Sequence, residues 1–136
     1  MNARSSSAEH VVLDASAMVD LLARTPDRFP AVRARLAQTV MHAPAHFDAE
    51  VLSALGRMQR AGLLSVGEVD AALAELLQAP VIRHDLSPVL AGAWSRRDTL
   101  RLTGALYVEL AVSAGLVLVT TDRRLARAWP SADFIA

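Results

Sequence analysis

Three carboxylates stand out by position. Asp14 ends the short apolar run Val11-Val12-Leu13, and a helical pattern starts directly behind it. Asp122 follows the apolar run 116–119 in the same way, after Thr120 and Thr121. Glu50 falls in the first turn of a long amphipathic stretch, 47–61, whose Phe47, Val51, Leu55 and Met58 recur at helical spacing. The crevice beyond the carboxyl ends of parallel strands is where α/β proteins bind ligands. Carboxylates gathered there suit a hard divalent cation or acid–base chemistry. Each also has a plainer reading. Asp14, just ahead of a helix, is a good N-cap. A first-turn acid such as Glu50 is favoured by the helix dipole whichever way it points, and for Glu50 alone that is the better account.

The elements that must position these acids alternate. Residues 11–13, 40–43, 81–82 and 116–119 read as strands, with 133–135 as an edge strand. Helical patterns cover 16–23, 29–38, 47–61, 103–114 and 123–129, and another begins at Ser87-Pro88, with proline at its first position. Ser65-Val66-Gly67-Glu68 is a capping-box sequence that opens a helix running to Gln78. Strands alternating with helices predict an α/β fold: a mainly parallel sheet of four to five strands with helices on both faces. The length, 136 residues with no repeat or linker, predicts a single domain over 1–136, with 1–9 as a loose polar lead-in.

Composition narrows the chemistry. The chain is 53% hydrophobic and 21% charged, which is globular rather than disordered. It has no Cys, so disulfides and thiolate metal sites are excluded. Residues 1–10 are polar with no apolar signal region, and no run reaches membrane-spanning length, so a cytoplasmic location and no membrane partner are expected. Net charge is zero, against a strongly basic nucleic-acid binder. All fourteen basic residues are Arg, which rules out mechanisms that need a lysine, such as Schiff bases or P-loops.

Four segments in order carry a family resemblance: Val12-Leu13-Asp14-Ala15-Ser16-Ala17; Pro44 with Glu50-Val51-Leu52-Ser53-Ala54-Leu55; Ala105-Leu106-Tyr107-Val108-Glu109-Leu110-Ala111; and Leu118-Val119-Thr120-Thr121-Asp122-Arg123-Arg124-Leu125-Ala126. The chain resembles a PIN domain of the VapC toxin type, from bacterial toxin–antitoxin pairs. The resemblance implies a three-layer α/β/α domain and a metal-dependent ribonuclease toxin. It implies Mg²⁺ or Mn²⁺ held by Asp14, Glu50 and Asp122, with the hydroxyls of Ser16 and Thr120 orienting carboxylates or bound waters. Clustered carboxylates repel one another without metal, so one or more should titrate high. It also implies RNA as substrate, a homodimer, and a VapB-like antitoxin whose C-terminal segment lies in an apolar groove. The stripes Met18, Val19, Leu22 and Leu55, Met58 are candidates for lining that groove, although core packing is the commoner fate of such stripes.

One position departs from the family. An Asp is expected directly before Ala105-Leu106-Tyr107, and Gly104 stands there, eighteen positions before Asp122, as the family spacing requires. Glycine weakens a helix by about 1 kcal/mol relative to alanine, and nothing in the local pattern asks for it. Gly104 is therefore a vacated catalytic and metal-ligand position, and an impaired or inactive nuclease is expected. The alternative is a catalytically dead PIN domain that acts only by binding antitoxin or RNA. A haloacid-dehalogenase-type phosphatase fits poorly, because Ser16 stands where its second Asp is needed.

Two arginine groups flank the expected crevice. Arg96, Arg97 and Arg101 precede the Gly104 helix, while Arg123, Arg124 and Arg127 follow Asp122. Of these, Arg96, Arg97, Arg101, Arg123 and Arg124 are the candidates for gripping RNA phosphates. For any one of them, a solvated helix face is an equal reading. His10, His42, His46 and His84 show no paired ligand spacing and read as ordinary surface or core residues. Tyr107 reads as a core residue that packs or hydrogen-bonds.

Overall fold

A computed structural model describes residues 8–136. It contains five strands: β1 (Glu9–Leu13), β2 (Thr39–Pro44), β3 (Val81–His84), β4 (Val117–Thr120) and β5 (Asp133–Phe134). They form one sheet in the order β3-β2-β1-β4-β5, and every pair is parallel. Parallel strands are covered on both faces, so their sequences read as unbroken apolar runs rather than alternations. Val11, Val12, Leu13 and Val119 are fully buried.

Seven α-helices fill the connections: α1 (Ala15–Leu22), α2 (Phe29–Leu36), α3 (Phe47–Arg60), α4 (Val66–Gln78), α5 (Leu90–Ser95), α6 (Leu102–Ala114) and α7 (Arg123–Ala128). Helices α2, α3 and α4 pack against α1, while α5 and α6 pack together and α6 lies on β1, β2 and β4. The result is three layers. The capping box forms as expected: Ser65 Oγ accepts from Glu68 N, and Glu68 Oε1 accepts from Ser65 N. Gly115 closes α6 with a left-handed φ of 68°, which glycine adopts at no steric cost.

Three local expectations change. The polar lead-in ends earlier than expected, because Glu9 and His10 already pair with Thr39 and Val40 in β1; residues 1–7 lie outside the described part of the chain. Ser87-Pro88 opens a 3₁₀ turn, Ser87–Val89, ahead of the short α5. Among the stripes proposed to line a groove, Met18, Leu22 and Leu55 are core side chains and are not available to a partner.

The chain leaves β1 toward β2 and β3 on one side, then returns to β4 and β5 on the other. The direction of winding therefore reverses between β1 and β4, where parallel sheets open a crevice beyond their carboxyl ends. No helix among the described residues is long and apolar enough to cross a membrane.

Candidate active site

A cleft of about 680 Å³ opens at this reversal point. Asp14, Glu50, Gly104 and Asp122 all line it. Leu13 pairs with Val119, and Asp14 N continues the ladder by donating to Val119 O at 3.0 Å. That register sets the Asp14 side chain beside Thr120.

Asp14 stands at the N-cap of α1, yet its side chain makes no capping bond. Instead its Oδ2 accepts from Ser16 Oγ at 2.5 Å and from Thr120 Oγ1 at 2.8 Å. Ser16 Oγ in turn accepts from Thr121 N, and Thr120 Oγ1 from Asp122 N. The two hydroxyls thus tie the end of β1 to the end of β4. Burial pushes the Asp14 carboxyl above its ordinary 3.8; the bonds from Ser16 and Thr120 oppose that shift, and the charges of Glu50 and Asp122 reinforce it.

Glu50 reaches the cleft from α3. Its Oε1 accepts from the Tyr107 hydroxyl at 2.6 Å. Tyr107, on α6, is 1% exposed, and its hydroxyl is held protonated well above the usual range by burial, then by the charge of Asp14 and by its bond to Glu50. His46 Nε2 donates to Thr103 O at 3.0 Å and lies 3.4 Å from Glu50 Oε1, so the starts of α3 and α6 are joined beside Gly104. Asp122 is a true cap: its Oδ1 accepts from Arg124 N and, at 3.4 Å, from Leu125 N at the head of α7.

One pattern runs through the three acids. Each has one oxygen tied back by the protein: Asp14 Oδ2, Glu50 Oε1 and Asp122 Oδ1. Each is left with a second oxygen to offer. An all-oxygen, anionic donor set of this kind fits Mg²⁺ or Mn²⁺. The acids do not close on a single point, however: among the described residues no three His, Cys, Asp or Glu side chains form a ready-made ion cage. Mg²⁺ keeps several of its waters and needs only one or two direct carboxylates, so such an open arrangement suits it. Gly104, in the first turn of α6, leaves one side of the cleft without a carboxylate. A Cβ at that position meets only Leu125 Cδ1, at 3.4 Å, so a side chain fits with little adjustment.

The arginines divide. Arg101 and Arg124 line the cleft. Arg96 does not: its Nε is bonded to Glu109 at 2.7 Å, and its guanidinium lies over Trp129. Gly92 gives the Glu109 carboxylate its place, since a Cβ there would overlap it. Arg97 stacks on Trp94 and Arg123 on Phe134, and neither lines the cleft. Two arginines that no local cluster announces, Arg28 and Arg57, do line it, together with the buried Asp20. Arg57 was legible in principle, because it follows Glu50 at i+7 and Ala54 at i+3 on one face of α3. The histidines make contacts that their spacing in the sequence did not announce. His10, His42 and His84 form a row across β1, β2 and β3 through ring nitrogens 2.9 Å apart. Their contacts run in a chain rather than converging as metal ligands would.

Comparison with known proteins agrees with this architecture. Residues 11–129 match the family model described as PIN domain. The chain is 79% identical over 130 residues to Ribonuclease VapC3 of Mycobacterium tuberculosis, covering 96% of this chain and 95% of that one. It superposes on the crystal structure of PAE2754 from Pyrobaculum aerophilum with a TM-score of 0.69 at 25% identity, covering 96% and 92% of the two chains. A toxin–antitoxin complex from Klebsiella pneumoniae shares the fold, with a TM-score of 0.64 at 15% identity over 93% and 98% of the chains. The chain belongs to the PIN-domain family and, within it, to the VapC toxins.

Proposed function

We propose that this protein is the ribonuclease toxin of a VapBC-type pair and hydrolyses RNA phosphodiester bonds with Mg²⁺ or Mn²⁺ at the Asp14–Glu50–Asp122 cleft. The observation that carries the reading is the shared pattern of the three acids, each with one oxygen fixed by the protein and the other left to a ligand. Its near relative is named a ribonuclease. A divalent cation bound there would neutralise the phosphate and assist the attacking and departing oxygens.

The chain's own groups do the rest. Ser16 and Thr120 aim the Asp14 carboxylate, Tyr107 aims Glu50, and the α7 amides aim Asp122. Arg101 and Arg124 hold the RNA backbone at the edge of the cleft. Asp14 carries a raised pKa without metal, and a bound cation would oppose that shift by favouring the carboxylate. A cytoplasmic location, homodimer formation and a VapB-like antitoxin as partner belong to the same reading, supported by membership of the VapC group.

Position 104 supports a second reading, a PIN domain that binds antitoxin or RNA without cutting. Gly104 supplies no carboxylate, and the remaining acids do not close into a cage. One experiment separates the two. RNA is incubated with the protein as given, with Gly104→Asp, and with Gly104→Asp plus Asp14→Asn, each in Mg²⁺ and in EDTA. The ribonuclease reading expects Mg²⁺-dependent cleavage that is slow for the first protein, fast for the second and lost in the third. No cleavage by any of them would leave the binding-only reading.

A further inference from the structure

Three arginines outside the cleft are held by carboxylates. Arg35 is bonded to Asp133 at 2.6 Å and to Glu9 at 2.9 and 3.0 Å. Arg83 grips Asp48 with two bonds of 2.9 and 2.8 Å. Arg96 is held by Glu109. Arg28 and Arg57 differ. Arg28 is 3.7 Å from Asp20, too far for a hydrogen bond. Arg57 donates only to the hydroxyl of Ser53, at 2.8 Å, among the described residues. Both guanidinium groups therefore keep donors free at the edge of the cleft.

Their placement follows from the fold. Arg57 stands two turns beyond Glu50 on the same face of α3, about 10 Å along the helix axis. That separation suits a phosphate next to the one held at the acids. Arg28 leads into α2, and the buried Asp20 of α1 stands beside it. Arg101 and Arg124 come from the other side, ahead of α6 and within α7. Carboxylates of four residues, Asp14, Asp20, Glu50 and Asp122, line the cleft and would repel a polyanion unless cations flank them.

We propose that Arg28 and Arg57 form a phosphate-binding subsite on the α1–α3 side of the cleft, which takes an RNA phosphate next to the one at the acids. This rests on the ribonuclease reading above. Asp20 holds Arg28 loosely over the cleft, and the incoming phosphate becomes the closer partner. The strand is thus gripped on both sides of the bond to be cut.

The test is the salt dependence of RNA binding without metal. A fluorescein-labelled single-stranded RNA is titrated in EDTA, by anisotropy, at several KCl concentrations. The proteins are the unmodified chain, Arg28→Gln with Arg57→Gln, and Arg33→Gln as an exposed control outside the cleft. Both cleft arginines are at least partly exposed, so their loss leaves the fold intact, and the thermal midpoints check this. Each lost phosphate contact on a single strand reduces the slope of log K against log salt by about 0.7. The double variant should therefore be shallower by about 1.4, with the control unchanged. If the unmodified protein binds and the double variant keeps its full slope, the subsite is wrong while the ribonuclease reading stands. If the unmodified protein binds no RNA at any salt, the subsite falls, and the ribonuclease reading stands or falls on the Mg²⁺ cleavage test.

Discussion

The hydroxyl of Tyr107 donates to Glu50 Oε1 at 2.6 Å, joining two residues of helices on opposite faces of the sheet. The bond spans the carboxyl end of the sheet and fixes which oxygen of Glu50 faces the cleft. Tyr107→Phe keeps the buried ring and removes this bond, together with the hydroxyl's contact with the Ala15 backbone. Loss of such an outer contact typically lowers metal affinity about 10- to 100-fold. We expect a weakening of that size in Mn²⁺ binding by calorimetry, with a far-ultraviolet spectrum unchanged from the parent. Unaltered affinity would make Tyr107 a packing residue only.

Asp14 gives a pH prediction. Its folded pKa is raised above the ordinary 3.8, chiefly by burial. Between the two values the folded state binds more protons than the unfolded one, so stability falls as pH rises. The contribution is fully present below the unfolded pKa and is lost as pH rises through the folded pKa. Asp14→Asn keeps an acceptor for Ser16 and Thr120 but carries no charge. In EDTA it should melt higher than the parent at pH 7, and the gap should close toward pH 4. A gap independent of pH would contradict the assignment.

How far the sequence spoke depends on the range of the contact. Strands β1 and β4 were legible because they are buried on both faces, which leaves continuous apolar runs ending in Asp14 and Asp122. The capping box of Ser65 and Glu68 was legible because it is local. Arg96 misled for the opposite reason: its neighbours in sequence suggested a basic patch, while Glu109, thirteen residues on, claims its guanidinium. Arg28 comes to the same cleft as Arg57 only through the fold, since no local pattern links it to the acids. The row of His10, His42 and His84 is assembled by strand pairing and has no local signature.

The Arg96–Glu109 pair also predicts the behaviour of Gly92. This glycine lies in α5, where alanine ordinarily favours a helix by about 1 kcal/mol. Here the added Cβ would occupy the place of the Glu109 carboxylate, and the pair with Arg96 would break. Glu109 is a flexible, partly exposed side chain that can swing aside, so the loss is that of the ion pair, about 0–1 kcal/mol, and it offsets the helical gain. Gly92→Ala should therefore raise the urea midpoint less in the parent than in a Glu109→Ala background. Equal rises in the two backgrounds would show that the pair contributes nothing.

Position 104 carries the central claim, that the cleft is a carboxylate metal site with one corner vacated. Gly104→Asp adds an acid to a wall where only Leu125 Cδ1 stands near the new Cβ. The decisive measurement is Mn²⁺ affinity by calorimetry on the two proteins side by side, with the metal-induced rise in thermal midpoint as its companion. A ligand that binds only the folded state stabilises it by mass action. Gly104→Asp should bind Mn²⁺ at least about ten-fold tighter than the parent and gain the larger rise in midpoint. Equal affinities and equal rises would contradict it.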